Sequence, residues 1–352
     1  MLYKILGMMS GTSLDGLDMA AVEFSISEDA NNNIDYRIIK TSTIGYTPEL
    51  RQAIIDCETM SGEQLVHFSM YLGHFFGKQA RKFLDENNLT VDFIASHGQT
   101  IFHQPSKGFT LQIGDINAIA SQTHITTIGD FRSLDVALGG QGAPLVPIGD
   151  KLLFGQYPCC LNIGGFSNIS YDKDNKRIAF DICPSNIVLN LLCERIGLDY
   201  DKNGEIAKAN TINKDLLNKL NSIPYYINNK KHSLAKEFVK SDVLPIIDKY
   251  DMSVEDKIAT YSEHIATQIA KQIVGDTFVT GGGAYNNYIL NAIKSKTDYK
   301  IIVPDNEIIE YKEALIFAFL GLRRMRKEIN CLKEVTGAEQ DSCSGLVATW
   351  VD

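Results

Sequence analysis

Three glycine-bearing turns and one aspartate hold the residue types in this 352-residue sequence that could do chemistry together. The first turn is Gly7 to Asp18, GMMSGTSLDGLD, set between the short apolar runs Leu2–Leu6 and Met19–Phe24. Its tip, Gly11, Thr12, Ser13, Leu14, Asp15, Gly16, Leu17 and Asp18, offers successive backbone N–H groups, two hydroxyls and two carboxylates. Such a tip can form an anion nest, with an Asp able to hold a hydrated Mg²⁺ beside phosphate. An ordinary hairpin turn wants the same residues. The second turn, Gly164-Gly165-Phe166-Ser167-Asn168, follows the run Cys159–Ile163, and the third, Gly281-Gly282-Gly283, follows Thr277–Thr280. Three glycines after a strand leave no side chain between the backbone and an approaching adenine or ribose; a tight strand-to-helix turn would use them equally. Asp181 closes the β-like run Arg177–Asp181, ahead of Ile182-Cys183-Pro184-Ser185-Asn186. Projecting from a sheet edge, its carboxylate can take a proton from a nucleophile during phosphoryl transfer; capping the next helix is the equal alternative.

Elements that would position these residues are readable from periodicity. Tyr36–Ile44 reads as a third strand after the loop Asn31–Asn33, Pro48 starts a helical region, and Ser61 with Gln64 heads a long amphipathic helix reaching about Leu84. Val91–Ser96 reads as a buried strand that delivers His97-Gly98-Gln99-Thr100 at its C-terminal end, where open α/β sheets place ligands. Leu111–Asp115 turns into a helix over Ile116–Thr123, and a strand over Ile125–Ile128 runs into Gly129-Asp130-Phe131-Arg132-Ser133-Leu134-Asp135. The glycine-rich stretch Leu138–Pro144 is either an interdomain hinge or a surface loop. Taking it as a hinge divides the chain into domains 1–140 and 141–352, with the C-terminal tail packing back on the first. Each half then opens on a β-hairpin with a Gly/Ser tip, an internal duplication of architecture. Two such tips facing each other across a cleft would hold one polyphosphate. A last α/β section comprises a helix over Ile258–Val274, the strand Thr277–Thr280, a strand over Tyr299–Val303 and a helix over Ile309–Met325.

Composition narrows the classes. With 44% hydrophobic and 22% charged residues the chain is globular, not disordered, and its length suits two domains or one large α/β unit. A net charge of −9 without a basic cluster argues against nucleic acid as a partner. Seven scattered cysteines without metal-ligand spacing fit a reducing cytoplasm. The first apolar run is too short for a signal peptide, and no run reaches the roughly twenty residues that span a bilayer, so neither export nor a membrane is expected. Absence of GxxxxGK[ST], HExxH and GxSxG removes P-loop NTPases, zincins and α/β-hydrolases from the leading candidates. His97 at a strand end is more readily a hydrogen-bonding group than a metal ligand, His67 and His74 read as surface or packing residues, and Cys159-Cys160 as core.

The stretches GMMSGTSLDGLD, SHGQTIFH, LQIGDINAIA, GDFRSLDVALGGQGAPLVP, LNIGGFSN, VTGGGAYNN and YKEALIFAFL run in order along nearly the whole chain and together resemble the anhydro-N-acetylmuramic acid kinase family. That resemblance implies α/β architecture with two actin-like (ribonuclease H-like) domains and a nucleotide cleft between them. It implies ATP and Mg²⁺ as cofactors, a small-molecule sugar as partner, a cytoplasmic setting and a role in peptidoglycan recycling, and it leaves a homodimer open. The family opens the 1,6-anhydro ring of its sugar with water while passing the γ-phosphate to O6, giving N-acetylmuramic acid 6-phosphate. By similarity Asp181 is the base for the attacking water, and Gly11–Asp18 with Gly164, Gly165 and Asn168 hold the phosphates. Gly281–Gly283 bound the nucleoside, His97, Gln99, Thr100, Arg132 and Asp135 face the sugar, and Asp15 with Glu313 meet Mg²⁺. Arg132 suits the lactyl carboxylate through its fork geometry. The chain departs from the family in reading Asp181-Ile182-Cys183-Pro184-Ser185-Asn186 where relatives tend to read Asp-Thr-Gly-Pro-Gly-Asn, and in Lys231–Glu237 where a Lys-Ser-Thr-Gly-Arg-Glu stretch is expected. These departures keep two other readings open: a kinase of this fold acting on a different amino sugar, and an Hsp70-like nucleotide-gated binding protein. The latter is less favoured because no separate peptide-binding domain is expected after the final helix.

Overall fold

A computed structural model describes residues 1–27, 34–228 and 234–351; the Asn31–Asn33 loop and Lys231, His232 and Ser233 lie outside the described residues. Twelve strands occur among the described residues: β1 (Leu2–Ser10), β2 (Gly16–Ile26), β3 (Ile34–Gly45), β4 (Phe93–Gln104), β5 (Phe109–Ile113), β6 (Thr127–Gly129), β7 (Cys159–Ile163), β8 (Phe166–Lys173), β9 (Lys176–Pro184), β10 (Thr277–Thr280), β11 (Ile301–Ile302) and β12 (Leu346–Ala348). They form two sheets, in the orders β12-β6-β4-β1-β2-β3, with β5 on β4, and β11-β10-β7-β8-β9. The central strand of each sheet, β1 or β7, runs antiparallel to the strand that follows it and parallel to a later one, β4 or β10. One topology is thus used twice, as an actin-like duplication requires.

The chain divides into two compact units, residues 1–153 with 311–352, and residues 154–310. This differs from the expected boundary at 140/141: the segment Leu138–Pro144 lies inside the first unit, as does most of the helix Asn306–Met325 that was expected in the second domain. Leu138–Pro144 is also not a hinge in its bonding. Gln141 N–H donates to the Thr336 carbonyl at 2.8 Å, and Glu339 N–H to that of Leu138 at 3.0 Å, so the C-terminal tail is stitched to it.

Parallel pairing needs crossover connections, and helices supply them. In the first unit the helix Gly62–Glu86 begins with a capping box, in which Ser61 and Gln64 exchange side-chain and backbone hydrogen bonds. Its buried face, including Leu72, Phe76 and Phe83, joins Leu6 and Met8 of β1 in one core. In the second unit the helix Val254–Ala270 buries Ile258, Ile265 and Ile269 with Leu161, Ile163 and Val279. Successive strand residues face opposite sides, so Gly7, between Leu6 and Met8, looks the other way, onto the helix Asn306–Met325. A Cβ on Gly7 would sit 1.9 Å from the Ala314 carbonyl oxygen, next in sequence to Glu313. The helix rests on bare backbone there.

None of the helices among the described residues is long and apolar enough to cross a membrane. Because a Cβ at position 7 would collide with the Ala314 carbonyl, Gly7→Ala should push the Asn306–Met325 helix off β1 and cost roughly 1–3 kcal/mol of stability, as overpacking in tight cores does. Thermal unfolding of the variant checks this, and an unchanged midpoint would refute the close approach.

Candidate active site

In the first unit the expected tip narrows to residues 11–15, because β1 and β2 extend through Ser10 and from Gly16. Leu14 N–H donates to the Gly11 carbonyl at 3.3 Å and Ser13 Oγ to Asp15 Oδ1 at 2.8 Å, while Thr12, Ser13 and Asp15 are exposed. Asp18 lies back on β2 opposite Met9, and Thr43 Oγ1 of β3 donates to its carboxylate at 2.5 Å. A second polar chain runs beneath the tip: Ser10 Oγ donates to Gln99 Oε1 at 2.5 Å and meets the Tyr46 hydroxyl at 2.5 Å. Ser10 has one proton, and Gln99 Oε1 can only accept, so Tyr46 must donate to Ser10. Burial, outweighing the bond to Ser10, raises the Tyr46 hydroxyl well above its ordinary range, with Asp18 and Asp15 adding to the rise. Tyr46 therefore stays a protonated donor.

His97-Gly98-Gln99-Thr100 does not end β4, which continues to Gln104. What sets these residues apart is a register shift: Met8 pairs with Ser96 but Ser10 with Gln99, so β4 carries one extra residue, and Gly98 absorbs it with φ +73°. The bulge turns His97 inward, against Phe317 and Arg132. Arg132 Nε and Nη2 both approach His97 Nε2, at 3.1 and 2.9 Å. Guanidinium has no acceptor, so Nε2 must carry the lone pair and Nδ1 the proton, which goes to the Gly98 carbonyl at 2.8 Å. Burial, then the charge of Arg132, push the His97 imidazolium down to about 3. Arg132 also donates from Nη1 to the Gly142 carbonyl at 2.6 Å, and burial lowers it to about 10 against the attraction of Glu313. Three of its five N–H groups are used, which leaves two for a ligand.

Asp135 requires a correction. It is fully buried, and both carboxylate oxygens are taken up within the unit: Cys331 Sγ and Thr336 Oγ1 donate to Oδ1 at 3.0 and 2.7 Å, and Gly142 N–H to Oδ2 at 2.7 Å. It anchors the glycine-rich loop and the tail, and so presents nothing to a sugar. Glu313 is the opposite case, exposed to solvent yet set among enough protein that lost hydration raises its carboxyl. Arg132 and Lys312 pull it back, and Asp18 and Asp15 repel it further. Lys312 is itself held by Asp150 at 2.7 Å, in a pair buried on both sides. Ser10, Tyr46 and Lys312 also support the site and are not among the residues expected from sequence. Ser10 sits inside the first glycine stretch and was findable there, whereas nothing local marks the other two.

In the second unit the two remaining glycine turns come together. β7 and β10 are parallel, with Asn162 opposite Thr280, so Gly164-Gly165 and Gly281–Gly283 both leave the C-terminal end of the sheet at one level. Their packing admits no side chain: a Cβ on Gly281 would lie 2.5 Å from Asn162 Oδ1, and one on Gly283 2.2 Å from Ile163 Cγ2. Gly282, between them, faces open space apart from the Asn186 amide. The carbonyls of Gly164 and Gly165 accept from the N–H groups of Ser185, Asn186 and Ile187, which ties this turn to the start of the helix Asn186–Glu194. Asn162 and Asn186 are further lining residues, each inside a stretch quoted above but not among the site residues expected from sequence.

Asp181 is placed by an irregularity too. β9 runs on to Pro184, and the pairs Asn168–Asp181 and Ser167–Cys183 leave Ile182 unopposed, a β-bulge next to the carboxylate. The helix that follows has Ser185, not Asp181, at its N-cap position. Leu234 N–H donates to Asp181 Oδ2 at 2.7 Å, and the Tyr225 hydroxyl donates to the Asp181 carbonyl. The altered residues are buried, and Ser185 sits at φ −126°, ψ −100°, outside the broad α and β regions. Ile182 and Cys183 join the core, Ser185 Oγ pairs with buried Ser167 Oγ, and no residue from 181 to 186 has left-handed backbone.

A family model described as anhydro-N-acetylmuramic acid kinase matches residues 3–349. Among curated relatives, the anhydro-N-acetylmuramic acid kinase of Aliivibrio fischeri is 33% identical over 98% of both chains. That of Francisella tularensis subsp. novicida is 33% identical, again over 98% of each, and that of Bacillus cereus is 31% identical over 97% of this chain and 98% of its own. Among solved structures, component A of the Acidaminococcus fermentans (R)-2-hydroxyglutaryl-CoA dehydratase aligns over 90% of this chain at 13% identity and a TM-score of 0.46, too slight a likeness to bear weight.

Burial also pushes His264 of the second unit down to about 3, so two histidines stay neutral in the folded chain while their unfolded counterparts titrate near 6.5. The unfolded state therefore binds more protons between those values. The stability these groups contribute is complete above about pH 6.5 and is lost as pH falls toward 3, at roughly 1.4 kcal/mol per pH unit for each. Urea unfolding at pH 7 and pH 5 should show a loss of about 2 kcal/mol for each of these two histidines, and His97→Gln should remove the part that His97 contributes. A pH-independent midpoint would contradict the neutral assignment.

Proposed function

The chain belongs to the anhydro-N-acetylmuramic acid kinase family, and on that premise we propose that it uses ATP and water to convert 1,6-anhydro-N-acetylmuramic acid into N-acetylmuramic acid 6-phosphate, with Asp181 as the base. The observation that carries this reading is the gathering of Gly164-Gly165, Gly281–Gly283 and the bulged Asp181 in one unit. Backbone without side chains suits a nucleotide, and an aspartate held at its carboxylate by Leu234 and at its backbone carbonyl by Tyr225 suits proton transfer at a fixed position.

In this reading the stretch Gly11–Asp18, exposed at Thr12, Ser13 and Asp15, and the turn Gly164-Gly165, with Asn168, contact the phosphates. Gly281–Gly283 contact the nucleoside. Arg132, with two N–H groups uncommitted, binds the lactyl carboxylate, and His97 keeps the guanidinium plane fixed by accepting from it. Gln99 and Thr100 complete that wall; Gln99 is held in orientation by Ser10. Asp181 takes a proton from water as its oxygen bonds to C1 of the sugar. The C1–O6 bond breaks, O6 bonds to the γ-phosphorus, and the bond from that phosphorus to the ADP oxygen breaks. The proton on Asp181 then passes to solvent, so the sum is sugar phosphate, ADP and one proton.

Hard oxygen donors lie where a divalent ion would serve: the carboxylates of Asp15, Asp18 and Glu313 sense one another electrostatically. Among the described residues no group of three or more such side chains forms a ready cage. Mg²⁺ takes one or two carboxylates and fills its octahedron with phosphate oxygens and water. Asp15 and Glu313 would hold it, and bound there it would neutralise phosphate charge. Cytoplasmic location and a role in cell-wall recycling follow from the same reading.

Incubation with Mg-ATP and 1,6-anhydro-N-acetylmuramic acid should yield a sugar heavier by phosphate plus water, read by mass spectrometry. Phosphate gain alone, on another amino sugar, would replace this substrate, and ATP turnover indifferent to sugars would replace the function. Asp181→Asn should lower kcat by roughly 10²–10⁴, the range of a lost general base, while ATP affinity measured by calorimetry is kept.

A further inference from the structure

We infer that Tyr225 is a positioning residue for the reaction, acting through the backbone of Asp181; this rests on Asp181 being the base. Among the described residues β9 is the outer strand of its sheet, paired by a strand on one side only. The bulge at Ile182 interrupts the ladder on that side, immediately after Asp181. An edge strand with a bulge beside the carboxylate gains precision from contacts outside the sheet, which a group that must meet a water molecule at hydrogen-bond distance needs. Bonds from outside the sheet add restraint. The Tyr225 hydroxyl donates to the Asp181 carbonyl, and Leu234 N–H donates to its carboxylate at 2.7 Å.

Tyr225 is built to serve as a rigid strut. It sits on a short helix, Pro224–Ile227, whose proline at the first position presets the backbone. Its ring is 8% exposed and meets Tyr226 and Phe238 edge-on, each at a centroid separation of 5.5 Å. With two torsions fixed by those rings, the hydroxyl has one place to be. The carbonyl it grips belongs to the same residue as the carboxylate, so rotation of that peptide would swing the side chain. Near reacting atoms, a displacement of about 1 Å can cost a hundredfold in rate; the remaining Leu234 contact should keep the loss smaller.

Another tyrosine provides the control. Tyr261 is fully buried and its hydroxyl donates to the Pro184 carbonyl at 3.0 Å, on the same strand but three residues past the carboxylate. Tyr225→Phe keeps the ring packing and should lower kcat for the anhydro sugar about tenfold, with KM for ATP within twofold and the melting temperature nearly unchanged. Tyr261→Phe should lower the melting temperature while kcat of the folded enzyme stays within twofold. Wild-type kcat in Tyr225→Phe, or equal losses in both variants, would overturn the inference while leaving Asp181→Asn inactive. Full activity in Asp181→Asn would instead overturn the assignment of the base, and the inference with it.

Discussion

The parallel pairing of β7 with β10, in register through Asn162 and Thr280, is the constraint on which the candidate site depends. Parallel strands point their C-terminal ends the same way, so two turns that lie more than a hundred residues apart in sequence leave the sheet side by side. Their glycines then become a packing requirement. Gly281 and Gly283 abut Asn162 and Ile163 so closely that any larger residue would separate the turns. The surface that results is bare backbone on the outside and core on the inside, which leaves Gly282 accessible while Gly283 is buried.

Both halves of the duplicated topology then break their ladders at the residues with chemical potential. In β4 the extra residue falls at His97-Gly98, and in β9 at Ile182 beside Asp181. A regular strand alternates its side chains between two faces. One inserted residue resets that alternation, so a polar group can be aimed away from the core without ending the strand. Ile182 and Cys183, consecutive residues both buried in the core of the second unit, are the visible consequence. Of the two residues that replace family glycines, Cys183 places its thiol in the core, while Ser185 pairs with Ser167 from a backbone outside the broad allowed regions.

In the first unit the polar residues form a buried network in which each bond dictates the next. Asp135 holds Gly142, whose carbonyl holds Arg132, which in turn obliges His97 to accept at Nε2. Low local dielectric strengthens such a chain when every member is satisfied and penalises it heavily when one is missing. The glycine-rich segment is consequently a fixed part of the unit. Its composition suggested mobility because glycine is what a mobile loop uses, but glycine is also what lets a loop fold closely over a buried carboxylate, as Gly140 does over Asp135.

Sequence alone determined the duplicated α/β plan, the long helix behind Ser61, the three glycine turns and the family. Each is written locally, in apolar periodicity, capping residues or runs of glycine, and so survives without knowledge of what lies across the molecule. Only tertiary structure decided which of the polar residues are available. Arg132 and Asp135 are three positions apart and look equally suited to a ligand, yet one keeps two donors uncommitted and the other is sealed by Cys331 and Thr336 from the far end of the chain. Tyr225 and Asp181, or Tyr46 and Ser10, meet through contacts 44 and 36 residues apart. Such contacts depend on the register and bulges of the sheets, which hydrophobic periodicity does not specify, because an inserted residue leaves the apolar pattern almost unchanged while redirecting everything beyond it.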